Sequence, residues 1–321
     1  MTHVLLADYG EDGFKLEQRM LADAGMTSAI ESGGTTEAII AAAGDASVIL
    51  AVVTPLPRAV FEALPKLRLI SFPGIGVDMV DLEAACEHGV WVSNVPTANL
   101  TEVATHALGM TLAMIRHLPF YDRDMRAGRW DYQAPGPLRR PSTLTLGIAG
   151  LGNIGRIFAN FAAPVFGGIV GYDPYVPAAA WPDGVERVEH LAALLGRADA
   201  VSLHMPLTGD NHNLIDAEAL AAMKPGAYLV NVSRGGLVDL DALLAALDAG
   251  HLAGAALDVF PEEPVPAGHP VMSHPRTLLS PHTAFYSLEA DEELRLGSIE
   301  NIIAWQRNGR PNHVVVEGKS G

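Results

Sequence analysis

A single cysteine, Cys86, occurs in 321 residues. One thiol excludes an internal disulfide and fits a reducing compartment. Within Leu82-Glu83-Ala84-Ala85-Cys86 it reads as an ordinary helix residue rather than a reactive thiol. Cationic side chains are also few: 21 Lys and Arg stand against 37 Asp and Glu, for a formal net charge of −16. That balance argues against nucleic acid or an anionic membrane surface as a partner. An anionic substrate would then depend on local arginines. No uncharged apolar run reaches the ~18 residues that span a bilayer. Thr2-His3-Val4-Leu5-Leu6-Ala7-Asp8 has a strand pattern and lacks the basic stretch and apolar core of a signal peptide. The expectation is a cytoplasmic protein. Repeats of solenoid period and low-complexity tracts are missing as well, and no metal is expected.

What remains is an ordinary globular composition, 49 % hydrophobic and 18 % charged, in a chain long enough for about two domains. Strand-like and helix-like runs alternate, which implies parallel sheets covered by helices. Strand candidates early in the chain are Val4–Ala7, Val48–Val53, Leu67–Ser71 and Val90–Val92, with helices at Gly13–Ala24, Ala59–Ala63 and Leu82–His88. Val95-Pro96-Thr97 ends this block. Helices follow at about Leu100–His117 and Phe120–Ala127, then strands near Leu144–Ala149, Ile169–Asp173, Ala200–Leu203, Ala227–Asn231, Ala253–Leu257 and Thr277–Leu279. Helices near Val188–Leu195, Ala217–Ala221 and Leu240–Ala249 separate the later strands, and a last one covers about Leu288–Asn308.

The densest signal is Gly150-Leu151-Gly152-Asn153-Ile154-Gly155, set after the apolar run Leu144–Ala149 and before a helical pattern of Ile157, Phe158, Phe161 and Ala162. A first glycine permits a sharp turn, a second lets backbone approach a pyrophosphate, and a third lets helix and strand pack closely. The helix N-terminus offers unpaired N–H groups, here those around Asn153 and Ile154, and the positive end of its dipole to phosphates. Asp173 ends the next strand and is placed to hydrogen-bond ribose hydroxyls. Its carboxylate would repel a 2′-phosphate, and Pro174, Tyr175 and Val176 supply no cation to receive one. NAD(H) is therefore favoured over NADP(H).

Three later residues suit hydride-transfer chemistry. Arg234, in Asn231-Val232-Ser233-Arg234-Gly235-Gly236, follows a strand where doubly wound sheets bind ligands, and can clamp a carboxylate through two parallel hydrogen bonds. Glu263, in Asp258-Val259-Phe260-Pro261-Glu262-Glu263-Pro264, and His282, in Ser280-Pro281-His282-Thr283-Ala284, also follow strand-like runs. Reducing a ketone leaves an alkoxide that needs a proton, and a histidine is the natural donor. A carboxylate on its other ring nitrogen fixes the tautomer. The plainer alternatives are a surface ion pair for Arg234 and a structural role for any one of the 12 histidines.

Taken together, these segments resemble the D-isomer-specific 2-hydroxyacid dehydrogenase family, which includes phosphoglycerate, glycerate and formate dehydrogenases. The resemblance covers nearly the whole chain. It includes Gly74-Ile75-Gly76-Val77-Asp78, the Gly150–Gly155 motif, Val201-Ser202-Leu203-His204-Met205-Pro206-Leu207-Thr208, Asn231–Gly236, Asp258–Pro264 and Pro281-His282. It implies an α/β fold with two doubly wound domains. A Rossmann NAD-binding domain, residues 99–284, would be inserted in a flavodoxin-like substrate domain built from residues 1–98 and 285–321. It further implies a catalytic set of Arg234, Glu263 and His282. Asp258 would bind the nicotinamide amide, His204 and Pro206 would line the cofactor, and the Gly74-Ile75-Gly76 backbone would receive the substrate carboxylate.

Within the family, Pro281–Ser287 and Gly128-Arg129-Trp130 are similar to the branch of the C-terminal-binding-protein corepressors. That branch usually carries an Arg just ahead of the Gly-x-Gly loop, where this chain has Phe72 and Pro73. The change hints at a less polar pocket, with Phe285 and Tyr286 as further apolar wall; the alternative is that Phe72 packs into the core. The expected activity is reduction of a 2-keto acid by NADH. Two alternatives stay open: an NAD(H)-sensing binding protein, and a family member using an unusual donor such as phosphite or formate. The resemblance also implies a homodimer, with Leu100–Ala127 as its interface.

Overall fold

The computed structural model describes residues 2–8 and 11–319. The elements run β1 (His3–Ala7), α1 (Lys15–Asp23), β2 (Thr27–Glu31), α2 (Thr36–Ala43), β3 (Val48–Leu50), α3 (Arg58–Ala63), β4 (Leu69–Ser71), α4 (Leu82–His88) and β5 (Trp91–Ser93). A second series follows: α5 (Leu100–Ile115), α6 (Leu118–Arg126), β6 (Thr145–Ala149), α7 (Asn153–Ala162), β7 (Gly168–Tyr172), β8 (Glu186–Arg187), α8 (Leu191–Arg197), β9 (Ala200–Leu203), α9 (Ala217–Ala222), β10 (Tyr228–Asn231), α10 (Leu240–Asp248), β11 (Gly254–Leu257) and β12 (Thr277–Leu279). Last come α11 (Leu288–Asn308) and β13 (Val314–Val316). Two compact units result, one of Met1–Asn99 with Ser287–Gly321, the other of Leu100–Tyr286.

The discontinuous unit holds a sheet in the order β13-β5-β4-β3-β1-β2. Its five earlier strands are parallel in the flavodoxin-like order, and β13 joins β5 antiparallel. Leu5, Ile49, Ile70 and Val92 face one side, while Val4, Leu6, Val48, Leu50 and Leu69 face the other. Helices bury both faces, which is why these strands read as unbroken apolar runs. Ile299 and Ile302 of α11 complete the second face. The carboxylate of Glu17 on α1 is buried there because Arg295 on α11 meets it through two nitrogens.

The continuous unit holds a fully parallel sheet, β12-β11-β10-β9-β6-β7-β8. Strand order reverses between β6 and β9, the switch point where such sheets bind ligands at their carboxyl ends. Ala104, Ala107 and Met110 of α5 pack with Leu146 and Ile148 of β6 and with Phe158 of α7.

Several expected boundaries shift, for physical reasons. The strand read to Val53 ends at Leu50, because the N–H groups of Val52, Val53 and Thr54 turn to one oxygen of the Asp8 carboxylate, at 2.7, 2.7 and 3.1 Å. The helix read from Val188 starts at Leu191, because the Val188 N–H extends the β7–β8 ladder to Gly171 O at 2.9 Å. The helix read to His117 ends at Ile115, and His117 takes a positive φ of 52° where the chain turns into α6. Strands β2, β8 and β13 and helix α2 went unread. The three strands lie at or beside sheet edges, where half-burial leaves a weak apolar pattern.

Candidate active site

Gly150 leaves β6 with φ of +95°, and a Cβ there would lie 2.5 Å from the His204 carbonyl oxygen. A Cβ on Gly155 would lie 2.1 Å from the Gly150 carbonyl oxygen. These two glycines let the turn fold against α7 and the β9 loop. Gly152, the N-cap of α7, is different: a Cβ there would meet nothing within 4 Å. No protein contact requires that glycine, so it fits a backbone kept bare for a ligand. Asn153 and Ile154 open α7 beside it, in the first turn whose N–H groups suit a pyrophosphate. Arg156, unnamed from sequence, donates through Nε to Leu151 O at 2.8 Å, which holds a cation at the same turn. Its signal was a cation one turn into the dinucleotide helix.

Asp173 follows β7. One carboxylate oxygen accepts from Leu151 N–H at 2.8 Å, the other from Tyr175 and Val176 N–H at 2.8 and 3.1 Å. The side chain therefore ties the glycine turn to the β7 loop and keeps acceptor capacity for a diol. The fold also brings in a cation that the adjacent sequence did not reveal. Arg187 on β8 donates to Val176 O at 3.3 Å and lies 4.7 Å above the Trp181 ring. His204 bonds Ser202 Oγ through Nε2 at 2.9 Å and packs on Phe158 with ring centroids 4.6 Å apart. Burial pushes its imidazole down to about 3, so the ring is neutral. Its Nδ1 is buried without a partner among the described residues. Pro206 is exposed in the turn that follows, its carbonyl accepting from Asn211 Nδ2 at 2.8 Å.

Arg234 leaves β10 in a tightly bonded loop. Asn231 Nδ2 donates to Arg234 O at 2.8 Å, and Ser233 Oγ donates to Leu203 O at 2.7 Å. Glu263 and His282, 19 residues apart, meet: Nδ1 of the ring lies 2.6 Å from Glu263 Oε2. The other Glu263 oxygen accepts from Phe260 N–H at 2.8 Å. Burial pushes the Glu263 pKa up, but the hydrogen bonds from His282 and Phe260, with the charges of His282 and Arg234, outweigh it and hold it below the usual carboxylate value. An ionised Glu263 requires a proton on Nδ1 of His282, which leaves Nε2 as the ring's exchangeable position. Phe285 packs edge-on to His282 at 6.4 Å, and Tyr286 to Phe285 at 6.3 Å.

Asp258 is fully buried at the end of β11. Its carboxylate accepts from Ser280 Oγ and from the Thr283 and Ala284 N–H groups, both at 2.9 Å. Its oxygens thus hold the loop that carries His282. His106 on α5, a residue the sequence reading passed over, places Nε2 3.0 Å from Ser280 Oγ. Among the described residues no cluster of three or more His, Cys, Asp or Glu is arranged to hold a metal, and no helix is long and apolar enough to cross a membrane.

The remaining expected residues lie in the discontinuous unit, after β4. Phe72 is only 9 % exposed, and its ring sits beside Gly74, where a Cβ would come within 2.8 Å of it. The Gly74 N–H donates to Phe72 O at 3.0 Å. Of the three amides expected to face a carboxylate, that one is used internally.

Residues 108–284 match the model of the D-isomer specific 2-hydroxyacid dehydrogenase, NAD binding domain, and the cofactor of this domain is NAD. The chain is 38 % identical over 272 residues to a D-3-phosphoglycerate dehydrogenase of Mycobacterium bovis, covering 84 % of this chain and 51 % of that one. It is also 38 % identical over 264 residues to an (S)-sulfolactate dehydrogenase of Chromohalobacter salexigens, covering 81 % of this chain and 84 % of that one. The chain spans about half the length of the phosphoglycerate dehydrogenases it matches. Among solved structures, an NAD-dependent formate dehydrogenase from Staphylococcus aureus in complex with NAD superposes with a TM-score of 0.90 at 29 % identity, over 99 % of this chain and 100 % of that one.

Proposed function

The chain belongs to the D-isomer specific 2-hydroxyacid dehydrogenase family, and from that premise we propose that it moves hydride between NAD(H) and a 2-keto or 2-hydroxy acid. The observation that carries this reading is the His282–Glu263 pair, 2.6 Å apart, in the same unit as the Gly150–Gly155 turn. Leu100–Tyr286 is then the NAD-binding domain, and the other unit the substrate domain.

The Gly150–Gly155 turn would hold NADH, with Asp173 at its ribose, and the cofactor would supply the hydride. The protein's own residues do the rest. Arg234 clamps the carboxylate and polarises the ketone. His282 gives its Nε2 proton to the carbonyl oxygen as the alcohol forms. Glu263 keeps Nδ1 protonated and the ring oriented, and its charge stabilises the imidazolium before the proton leaves. Asp258 contributes to the nicotinamide side of the site, and His204 and Pro206 to its wall. In the substrate domain, backbone amides of the Gly74–Gly76 loop bind a carboxylate. Phe72, in place of a cation, supports an uncharged substrate side chain.

The test is turnover of a panel of 2-keto acids, from glyoxylate to branched and aromatic ones, followed by NADH absorbance, with phosphite and formate assayed for NAD reduction. Fast turnover of one apolar keto acid supports the reading and its substrate class. Tight NADH binding with no turnover of any keto acid overturns it, in favour of an NAD(H)-sensing protein or an unusual donor. The reading includes a homodimer in the cytoplasm. Exposed Leu118, Met125, Trp130 and Tyr132 on and after α6 support an interface there, and sedimentation equilibrium measures it.

A further inference from the structure

The loop after β4 is held by a side chain that sequence reasoning never named. Asn94, directly after β5, donates from Nδ2 to the Ile75 carbonyl at 2.7 Å. The next residue, Val95, donates its N–H to Gly74 O at 2.9 Å. Two consecutive carbonyls of the loop are thereby drawn toward the β5 end. Gly74 N–H is spent on Phe72 O. The Ile75 and Gly76 N–H groups donate to nothing among the described residues, although neither residue is fully exposed. Successive undonated N–H groups opposite captured carbonyls form an anion-binding concavity.

Asn94 is itself fixed from behind. Its carbonyl accepts from Asn301 Nδ2 at 2.9 Å, and Asn301 Oδ1 accepts from His313 N–H at 3.0 Å. Asn301 is fully buried in the middle of α11, an expensive place for an amide unless both ends are bonded. A continuous chain of hydrogen bonds thus runs from the start of the β13 segment through α11 to the loop, all within one unit.

We propose that Asn94, braced by Asn301, is a positioning residue that presents the Ile75 and Gly76 amides to the substrate carboxylate. This rests on the keto acid reading above and deepens it by naming which two of the three amides act and what aims them. Without the Nδ2 donor, the Ile75–Gly76 peptide is free to rotate its carbonyl toward the anion. That exchanges an attractive dipole for a repulsive one. Carboxylate affinity falls, while the dinucleotide turn, in the other unit, is untouched.

The test uses the full chain with NADH bound. Binding of oxamate, an unreactive amide isostere of a 2-keto acid, is measured by calorimetry for wild type, Asn94→Ala and Asn94→Asp, with KM and kcat for the best keto acid. Asn94→Asp keeps the shape and loses the donor, so it guards against a mere packing effect. The expected result is a rise of about tenfold or more in both the oxamate Kd and KM for both variants. NADH affinity stays at the wild-type value, the thermal midpoint falls only modestly, and kcat changes less than KM. Turnover by wild type with unchanged KM and oxamate Kd in folded variants overturns the inference and leaves the proposed reaction standing. Equal loss of kcat and NADH affinity also overturns it, because that marks a general folding role. Failure of wild type to turn over any keto acid overturns the reaction reading, and the inference with it.

Discussion

The carbonyl of Asp258 accepts the His282 N–H at 2.7 Å, and the carboxylate of the same residue accepts the next two N–H groups, of Thr283 and Ala284. His282 sits there with φ of +49°, a left-handed conformation that a residue with a Cβ adopts only when held. One buried aspartate therefore supports the backbone from which the proposed proton donor projects, while Glu263 bonds its ring.

Replacing Asp258 by Asn tests that support. The amide cannot accept at both ends, so one of its N–H groups opposes a backbone N–H in a dry site. The cost is about 1–3 kcal/mol of stability. Denaturant unfolding should register this loss, and kcat should fall as the His282 loop relaxes. Wild-type stability and kcat in Asp258→Asn would remove Asp258 from this role.

Glu263→Gln keeps the shape of the Nδ1 partner and deletes its charge. The imidazolium of His282 then loses its counter-charge, and kcat should drop by roughly 10²-fold while NADH binding persists. His282→Ala should go further, abolishing proton donation with the cofactor still bound. Loss of NADH affinity in a folded His282→Ala protein would contradict the donor assignment. Stopped-flow hydride transfer with fluorescence titration of NADH separates the two quantities.

Acid stability should depend on His204. Its ordinary value is 6.5, and burial lowers it to about 3 in the fold. Below pH 6.5 the unfolded chain takes up a proton that the folded ring refuses. Stability is therefore full above 6.5 and declines as pH falls toward 3, with a limiting slope of about 1.4 kcal/mol per pH unit for one proton. Burial lowers His117 as well, with the same sign. Glu263 adds its own loss only below its ordinary 4.5, as pH falls through its lowered folded value. Between pH 6.5 and 4.5, unfolding free energy should decline less steeply in His204→Gln than in wild type. Parallel curves would show that His204 is protonated as readily in the fold as outside it.

Cofactor choice should rest on Asp173. Its charge opposes a 2′-phosphate, and Arg187 already lies along the same loop, bonded to Val176 O. Asp173→Ser should lower kcat/KM with NADH and raise it with NADPH, narrowing the ratio by at least about tenfold. Because the carboxylate also accepts from Leu151 N–H, a modest fall in thermal midpoint should accompany the change. An unaltered NADH-to-NADPH ratio would assign selectivity elsewhere.

Legibility in the sequence followed burial on both faces and local turn chemistry. Strands β1, β6, β9 and β10 announce themselves as apolar runs because helices cover both sides of each sheet. The turn Gly150–Gly155 is readable because its geometry is local: one glycine for a positive φ, one for close packing, one left bare. Strands β2, β8 and β13 are half-buried at or near edges, and partners remote in the chain select them. Arg187 and Asn94 stayed hidden for a related reason. One reaches the Asp173 loop, and the other the Gly74–Gly76 loop, only through pairing of strands.

Sequence alone determined the alternation of strands and helices, the glycine turn after β6, the acid after β7, and the three residues proposed for hydride chemistry, because each is written in contiguous residues with local conformational demands. Tertiary structure alone decided which groups meet. The contact of Glu263 with His282, the service of Asp258 to the His282 backbone, the use of the Gly74 N–H on Phe72, and the reach of Asn301 to Asn94 across 207 residues all depend on which strand ends lie side by side. Hydrogen bonds act over about 3 Å, and only the folded sheets bring residues so far apart in sequence within that distance.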